Sequence, residues 1–273
     1  MWALALPVLF GVFVWWFSTG IVLLLDNLPH STFRWSVAIS SALGLGALVG
    51  LAHTADQTSV AGAYCAFTCA LLAWGWHELT FLTGWLTGPR KTALTPGARG
   101  WLRFWQAVQA IAWHELAIAA VGLTIVGITW GGSNPVGGWT FLVLWVMRTS
   151  AKLNLFLGVR NLNEDFVPPR LVYLLSFFRR RPVNALFPVA VTAATAVAAM
   201  MVRAALSAPP PMAAGLMLVA TMLALAIVEH WLMVLPLDPG ALWRWAMRKP
   251  PVTPAPLAPV AAPAASEVLV HAR

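Results

Sequence analysis

Residues 60–86 read VAGAYCAFTCALLAWGWHELTFLTGWL. The stretch is apolar for longer than the roughly 20 residues that a helix needs to cross a bilayer. Near its end it nevertheless sets His77 beside Glu78. Six further runs of the same kind flank it, at about Leu4–Leu24, Trp35–Leu51, Trp101–Trp130, Trp139–Gly158, Ala185–Leu206 and Met212–Leu235. Only a helix satisfies its backbone polar groups within one such run. The sequence therefore predicts an all-α, polytopic membrane helix bundle of about seven transmembrane helices.

Composition agrees with this reading. The chain has 273 residues, 60% hydrophobic and 10% charged, with a mean hydropathy of +0.77. A soluble domain carries nearer a quarter charged residues. The net charge of +8 would suggest nucleic acid in a soluble protein. Here the basic residues gather in a few loops, so topology accounts for them and nucleic acid is not an expected partner. Arg34 follows the first run, Arg90, Lys91 and Arg99 the third, Arg160, Arg170 and Arg179–Arg181 the fifth, and Arg244, Arg248 and Lys249 the seventh. The intervening loops near Asp56, Ser133–Gly138 and Pro209–Pro211 hold no Lys or Arg, and Arg203 alone lies near that side. The positive-inside rule then places the N-terminus in the periplasm and the C-terminus in the cytoplasm. The first run has no basic n-region and no small-residue cleavage site, so it reads as a retained span.

The bundle is expected to occupy residues 1–236, interrupted by a basic cytoplasmic loop at about 159–184. Within that loop, the apolar stretch Leu171–Phe178 ends in Arg179–Arg181, a pattern that suits a short interfacial helix against anionic lipid. Residues 237–273, rich in Pro and Ala, are expected to be a disordered cytoplasmic tail. Cys65 and Cys69, one turn apart in one run, read as small packing residues.

Chemistry concentrates where lipid would be. The third run holds His77-Glu78, the fourth His114-Glu115, the fifth Arg148 and Lys152 with Asn154 just beyond, and the seventh Glu229-His230. At about 1.5 Å per residue these groups fall at similar depths, roughly 10–20 Å from the basic ends. Each costs on the order of 3 kcal/mol if it faces lipid, so packing that brings them together is expected. Arg148 and Lys152 share one helix face, and Glu78, Glu115 and Glu229 are their candidate partners. Three carboxylates against two cations leave one formal negative charge, answered by a bound cation or by a proton. Three readings compete: an ion-pair cluster that fixes packing, a metal site for Fe, Mn or Zn at His77, Glu78, His114, Glu115, Glu229 and His230, or ligation of a tetrapyrrole by the histidines. Adjacent His and Glu point about 100° apart on a helix, which counts against one span aiming both at one ion. The Glu-x-x-His signature of di-iron bundles is absent. So are a lysine in the seventh run for a retinal Schiff base and a phosphate loop of the P-loop type.

Two stretches carry a family resemblance. One runs from His77-Glu78-Leu79-Thr80-Phe81-Leu82-Thr83-Gly84 to Thr87-Gly88-Pro89-Arg90. The other is Lys152-Leu153-Asn154-Leu155-Phe156-Leu157-Gly158-Val159-Arg160-Asn161, followed by Asn163-Glu164-Asp165 and Arg179-Arg180-Arg181-Pro182. These resemble the photosynthetic complex assembly protein 2 family, PuhE-like membrane proteins of phototrophic bacteria. The resemblance covers most of the chain to about Pro236. It implies an inner (intracytoplasmic) membrane location and a role in assembling the reaction centre and light-harvesting complex, or in modulating their bacteriochlorophyll supply. It implies reaction-centre or antenna subunits, or pigment-biosynthesis enzymes, as partners, with Arg90, Lys91, Arg160, Asn161, Glu164 and Arg179–Arg181 as the candidate surface for a partner or lipid head groups. It transfers no active site. The alternatives are a metal-dependent membrane oxidoreductase acting on a tetrapyrrole or another lipophilic substrate, and a scaffold without ligand.

Overall fold

The computed structural model describes residues 2–247. Seven long helices make the bundle: α1 (Trp2–Asp26), α2 (Phe33–Thr54), α3 (Val60–Leu82), α4 (Gly100–Ile128), α5 (Val136–Leu157), α6 (Leu186–Ser207) and α7 (Pro210–Leu232). Among the described residues there is no strand, only an isolated backbone bridge between Val159 and Arg180. Six of the helices are long and apolar enough to cross a membrane; α3 is outside that group. α3 lies at the centre, packed by α1, α2, α5 and α7, and can carry His, Glu and Thr because so little of it meets lipid.

Small residues let the central helices approach closely. Ala63, Ala66 and Ala70 of α3 and Ala213, Ala214, Gly215 and Ala220 of α7 are all buried. Phe67, Trp74, Ile118, Phe141, Leu218 and Met222 fill the space between them. Away from the basic loops, Asn134 ties one end of the bundle. Its amide donates to the Thr54 carbonyl at 3.0 Å and the Gly62 carbonyl at 3.1 Å. Its backbone N–H donates to the Ala55 carbonyl at 2.7 Å.

At the basic end the loops form a cap. Gly84, at φ +78, ends α3 at Leu82, sooner than the apolar run would suggest. The chain then turns back along α4. The Arg90 N–H donates to the Gln109 carbonyl at 3.3 Å, and the His114 N–H donates to the Thr87 carbonyl at 2.8 Å. α4 has 29 residues, about 43 Å at 1.5 Å per residue, well beyond a hydrocarbon core of about 30 Å. Residues 100–109 therefore rise past the returning loop and become a wall of the cap. Arg103 is buried in that wall. Its guanidinium donates to the Phe156 carbonyl at 2.7 Å and the Phe177 carbonyl at 2.5 Å, and lies 3.7 Å from the Phe156 ring centre. Arg170 donates to the Leu82 carbonyl at 2.7 Å, pairs with Asp26 at the end of α1, and covers the Phe33 ring of α2. Asn184 accepts from the Leu186 N–H at 2.9 Å, and its amide donates to the Asn154 side chain at 3.0 Å. The buried Arg103, the half-buried Arg170 and Asn184 thus join the ends of α1 to α6.

Two expectations are corrected here. The 171–178 stretch is a 3-10 helix, Pro169–Phe177, and its apolar face turns inward. Leu171, Leu174 and Phe177, spaced by the three residues of a 3-10 turn, pack on Phe81 and Ala110 instead of lipid. The start of the tail is ordered. Asp238 accepts from the Gly240 N–H and starts a 3-10 turn, Pro239–Trp243. The Trp243 indole then donates to the Trp16 carbonyl at 2.9 Å, while the Trp16 indole donates to the Leu242 carbonyl at 3.0 Å. Residues 248–273, which hold the remainder of the expected disordered tail with Arg248 and Lys249, lie outside the described residues.

Gly88 makes a close backbone approach within the cap: a Cβ there would sit 2.1 Å from the Gln109 carbonyl oxygen, a backbone atom with no freedom to withdraw. Gly88→Ala is expected to lift the loop from α4, at a cost near the upper end of about 1–3 kcal/mol for overpacking. A melt in detergent, with limited proteolysis between Arg90 and Arg99, checks it; an unchanged melt and digest would refute the close approach.

Candidate functional site

The candidate residues on α3, α4 and α7 meet on α5. Arg148 donates to Glu78 of α3 at 2.8 Å. One turn on, Lys152 donates to Glu115 of α4 at 2.5 Å. Between them Ser150 reaches α7, its hydroxyl 2.9 Å from His230 Nε2. His230 Nδ1 lies 2.8 Å from the Ala226 carbonyl. A carbonyl can only accept, so Nδ1 carries the proton and Nε2 accepts from Ser150. Asn154, fully buried, donates back to the Ser150 carbonyl at 2.9 Å. A ladder of residues along α5 thus binds three neighbouring helices.

Glu229 takes a different partner from the one expected. The sequence offered it to Arg148 or Lys152, yet it accepts from the Trp15 indole of α1 at 2.9 Å. The two cations are already engaged by Glu78 and Glu115, and the surplus carboxylate takes an uncharged donor.

His77 and His114 face away from their neighbouring glutamates, as adjacent positions on a helix must. Their ring centres are 6.3 Å apart. His77 is 0% exposed and His114 1%. Both nitrogens of His77 and Nδ1 of His114 lack a hydrogen-bond partner. Trp76 lies 4.9 Å from the His77 ring, Phe141 5.9 Å, and Phe81 4.5 Å from His114.

These facts test the ligands that the residue types suggest. A tetrapyrrole ring could reach neither imidazole without parting α3, α4 and α5, so the residues do not fit axial ligation here. Nor do the six suggested metal ligands converge. Among the described residues no three His, Cys, Asp or Glu side chains form a group that could hold a metal ion, because Glu78 and Glu115 face cations while His230 faces a serine. An apolar groove of about 370 Å3 does open on the flank of α5, lined by Leu142, Trp145, Val146, Thr149, Ser150 and Leu153 among others.

The loop candidates divide. Asn161 is structural: its amide donates to the Leu232 carbonyl at 2.9 Å and to the Leu235 carbonyl, holding the end of α7. Arg90 donates to the Ala93 carbonyl at 2.6 Å within its own loop. Arg180 and Glu164 pair at 2.8 Å in the open, and Arg160, Arg181 and Lys91 are exposed. Sequence reasoning missed Arg103, Asp26, Ser150 and Trp15. Arg103 carried a signal, as an arginine inside an apolar run. Ser150 and Trp15 carried none, because serine and tryptophan are ordinary in such helices.

The chain matches the family described as "Protein of unknown function (DUF3623)" over residues 1–253. It is 40% identical over 249 residues to the "Uncharacterized 30.4 kDa protein in puhA 5'region" of Rhodobacter capsulatus, covering 89% of this chain and 90% of that one. No solved structure matches.

The pairing on α5 makes a specific demand. Glu115→Leu strands Lys152, and because the pair is part-buried the loss is expected at or below the lower end of the about 3–5 kcal/mol for breaking a buried pair. Adding Lys152→Met is expected to restore most of that loss. Detergent melts of both variants measure the coupling; a single variant that melts like the parent would mean that the pair does not hold α4.

Proposed function

The chain belongs to the DUF3623 family, and from that premise we propose that it is an assembly factor for the photosynthetic reaction centre and light-harvesting complex, working in the bacterial inner membrane. The observation that carries this reading is the relative encoded in the puhA 5' region of a phototrophic bacterium. In this reading all seven helices cross the bilayer, α3 sheathed by its neighbours. The N-terminus is periplasmic and the cap faces the cytoplasm. The gathering of basic residues at the cap end, with Arg203 alone near the other, supports that orientation.

The closed ion pairs favour a packing role for the charged cluster over a metal-dependent oxidoreductase, since carboxylates neutralised by Arg and Lys are poor ligands. Supply of bacteriochlorophyll would then be influenced from the flanks. The apolar groove on α5 suits a lipophilic pigment tail or a partner helix. The exposed Arg160, Arg180 and Arg181 suit an acidic face of a cytoplasmic-side biosynthetic enzyme.

Deletion of the relative's gene in Rhodobacter capsulatus is expected to lower reaction-centre and antenna absorption in membranes several-fold, and expression of this chain to restore it. A deletion strain with unaltered membrane absorption would sink the assembly role. Reversing charge at Arg179–Arg181 in the complementing chain is expected to reduce recovery of partner proteins while leaving the melt of the bundle unchanged, because the one side-chain pair broken, Arg180–Glu164, is solvent-exposed and worth about 1 kcal/mol or less. Undiminished recovery would remove these arginines from partner contact.

A further inference from the structure

A second cavity, of about 250 Å3, lies in the cap, away from the ion-paired ladder. Thr83, Gly84, Thr87 and Lys91 after α3 form one wall, Arg170 and Tyr173 of the 3-10 helix another, and His30 from the turn between α1 and α2 closes it. Its polar groups are unevenly satisfied. Arg170 is occupied by Asp26 and the Leu82 carbonyl, so it braces the wall. Lys91 is exposed, and among the described residues no carboxylate lies within ion-pair distance of it. The Thr87 and Tyr173 hydroxyls lie within hydrogen-bonding reach of one another, and neither has any other partner, though both oxygens are buried. Thr87 is 2% exposed. One of the two can donate to the other, which leaves one O–H of this wall without an acceptor, and an orphaned buried hydroxyl costs about 1–3 kcal/mol. Burial holds the Tyr173 phenol above its ordinary pKa, so it stays a neutral donor.

A spare hydroxyl donor and the free Lys91 ammonium, on a cavity also lined by His30 and Arg170, match an anion with several acceptor oxygens. The cavity stands where α3 leaves the apolar layer, and Trp85 projects outward beside Gly84, in the manner of tryptophans at the head-group level. We propose that this cavity binds a phosphate group, that of an anionic phospholipid whose head group enters between Lys91 and Tyr173. The volume leaves room for the attached glycerol. A lipid seated there would tie the α1–α2 turn, the end of α3 and the 3-10 helix together from the lipid side. The inference is independent of the assembly role.

Native mass spectrometry of the full chain in detergent, titrated with phosphatidylglycerol and with phosphatidylcholine, reads the site directly. Phosphatidylglycerol is expected to bind more tightly, and Lys91→Glu to weaken it about tenfold, as loss and reversal of one surface charge should. Thr87→Val and Tyr173→Phe are expected to weaken it by lesser amounts, while reversal of the exposed Arg180, outside the cavity, leaves it unchanged. A melt of each variant separates loss of binding from loss of fold; Lys91, being exposed, is the variant least prone to unfold. Inorganic phosphate is the second probe. If phosphate alone raises the melting temperature in a Lys91-dependent way and phosphatidylglycerol does not bind, the occupant is a soluble phosphate and the lipid assignment falls. Equal binding of the two lipids, or Lys91→Glu binding phosphatidylglycerol like the parent, would overturn the site.

Discussion

A charge inside a bundle surrounded by lipid must be answered by another charge or a strong hydrogen bond, because no water reaches it. In this protein a single helix supplies the answer. Arg148 and Lys152 of α5, one turn apart, each take a carboxylate from a different neighbour, and Ser150 between them takes the imidazole of α7. The rotation of α5 about its axis is thereby set, and with it the faces that α3, α4 and α7 turn inward. Apolar packing alone would leave those rotations loosely defined, since lipid tails are as apolar as leucine. His77 and His114 enter the core as a by-product of the same rotation: with Glu78 and Glu115 committed to α5, the preceding residue on each helix must face elsewhere.

The cap solves a different problem. Helix ends carry unpaired carbonyls, and here several ends meet at one level. Arg103 serves the carbonyls of Phe156 and Phe177, Arg170 that of Leu82, and the Asn161 amide those of Leu232 and Leu235. Guanidinium groups suit this task, with several donors in a fixed plane and no need for an acceptor. The basic character of these loops therefore has two components. Part faces outward, at Arg160, Arg180 and Lys91, and part is spent inside as hydrogen-bond donors.

Much of the helical layout was legible before any coordinates, because apolar run length is a one-dimensional property. The grouping of charged residues at one depth was legible for the same reason. Which carboxylate meets which cation was not, since that depends on helix rotation and neighbour order. Glu229 shows the limit: its neighbours repeat those of Glu78 and Glu115 in reverse order, and only its position beside α1 gives it Trp15. The docking of Trp243 on Trp16 was hidden by local composition, for a Pro- and Ala-rich segment gives no sign of a reciprocal pair of indole bonds with the first helix. The inward face of the 3-10 helix was hidden by period: Leu171, Leu174 and Phe177 recur every three residues, which reads as an amphipathic surface helix until its partner surface is known.

The order of these residues along the chain bears on how the protein is made. α3 emerges from the ribosome with Glu78 unanswered, and Arg148 follows 70 residues later. Glu115 waits 37 residues for Lys152. Neither α3 nor α4 can settle into lipid at low cost until α5 arrives. The lipid placement of α3 and α4 thus depends on one later helix. The order of the chain makes the fifth helix the one on which the charges of two earlier helices wait.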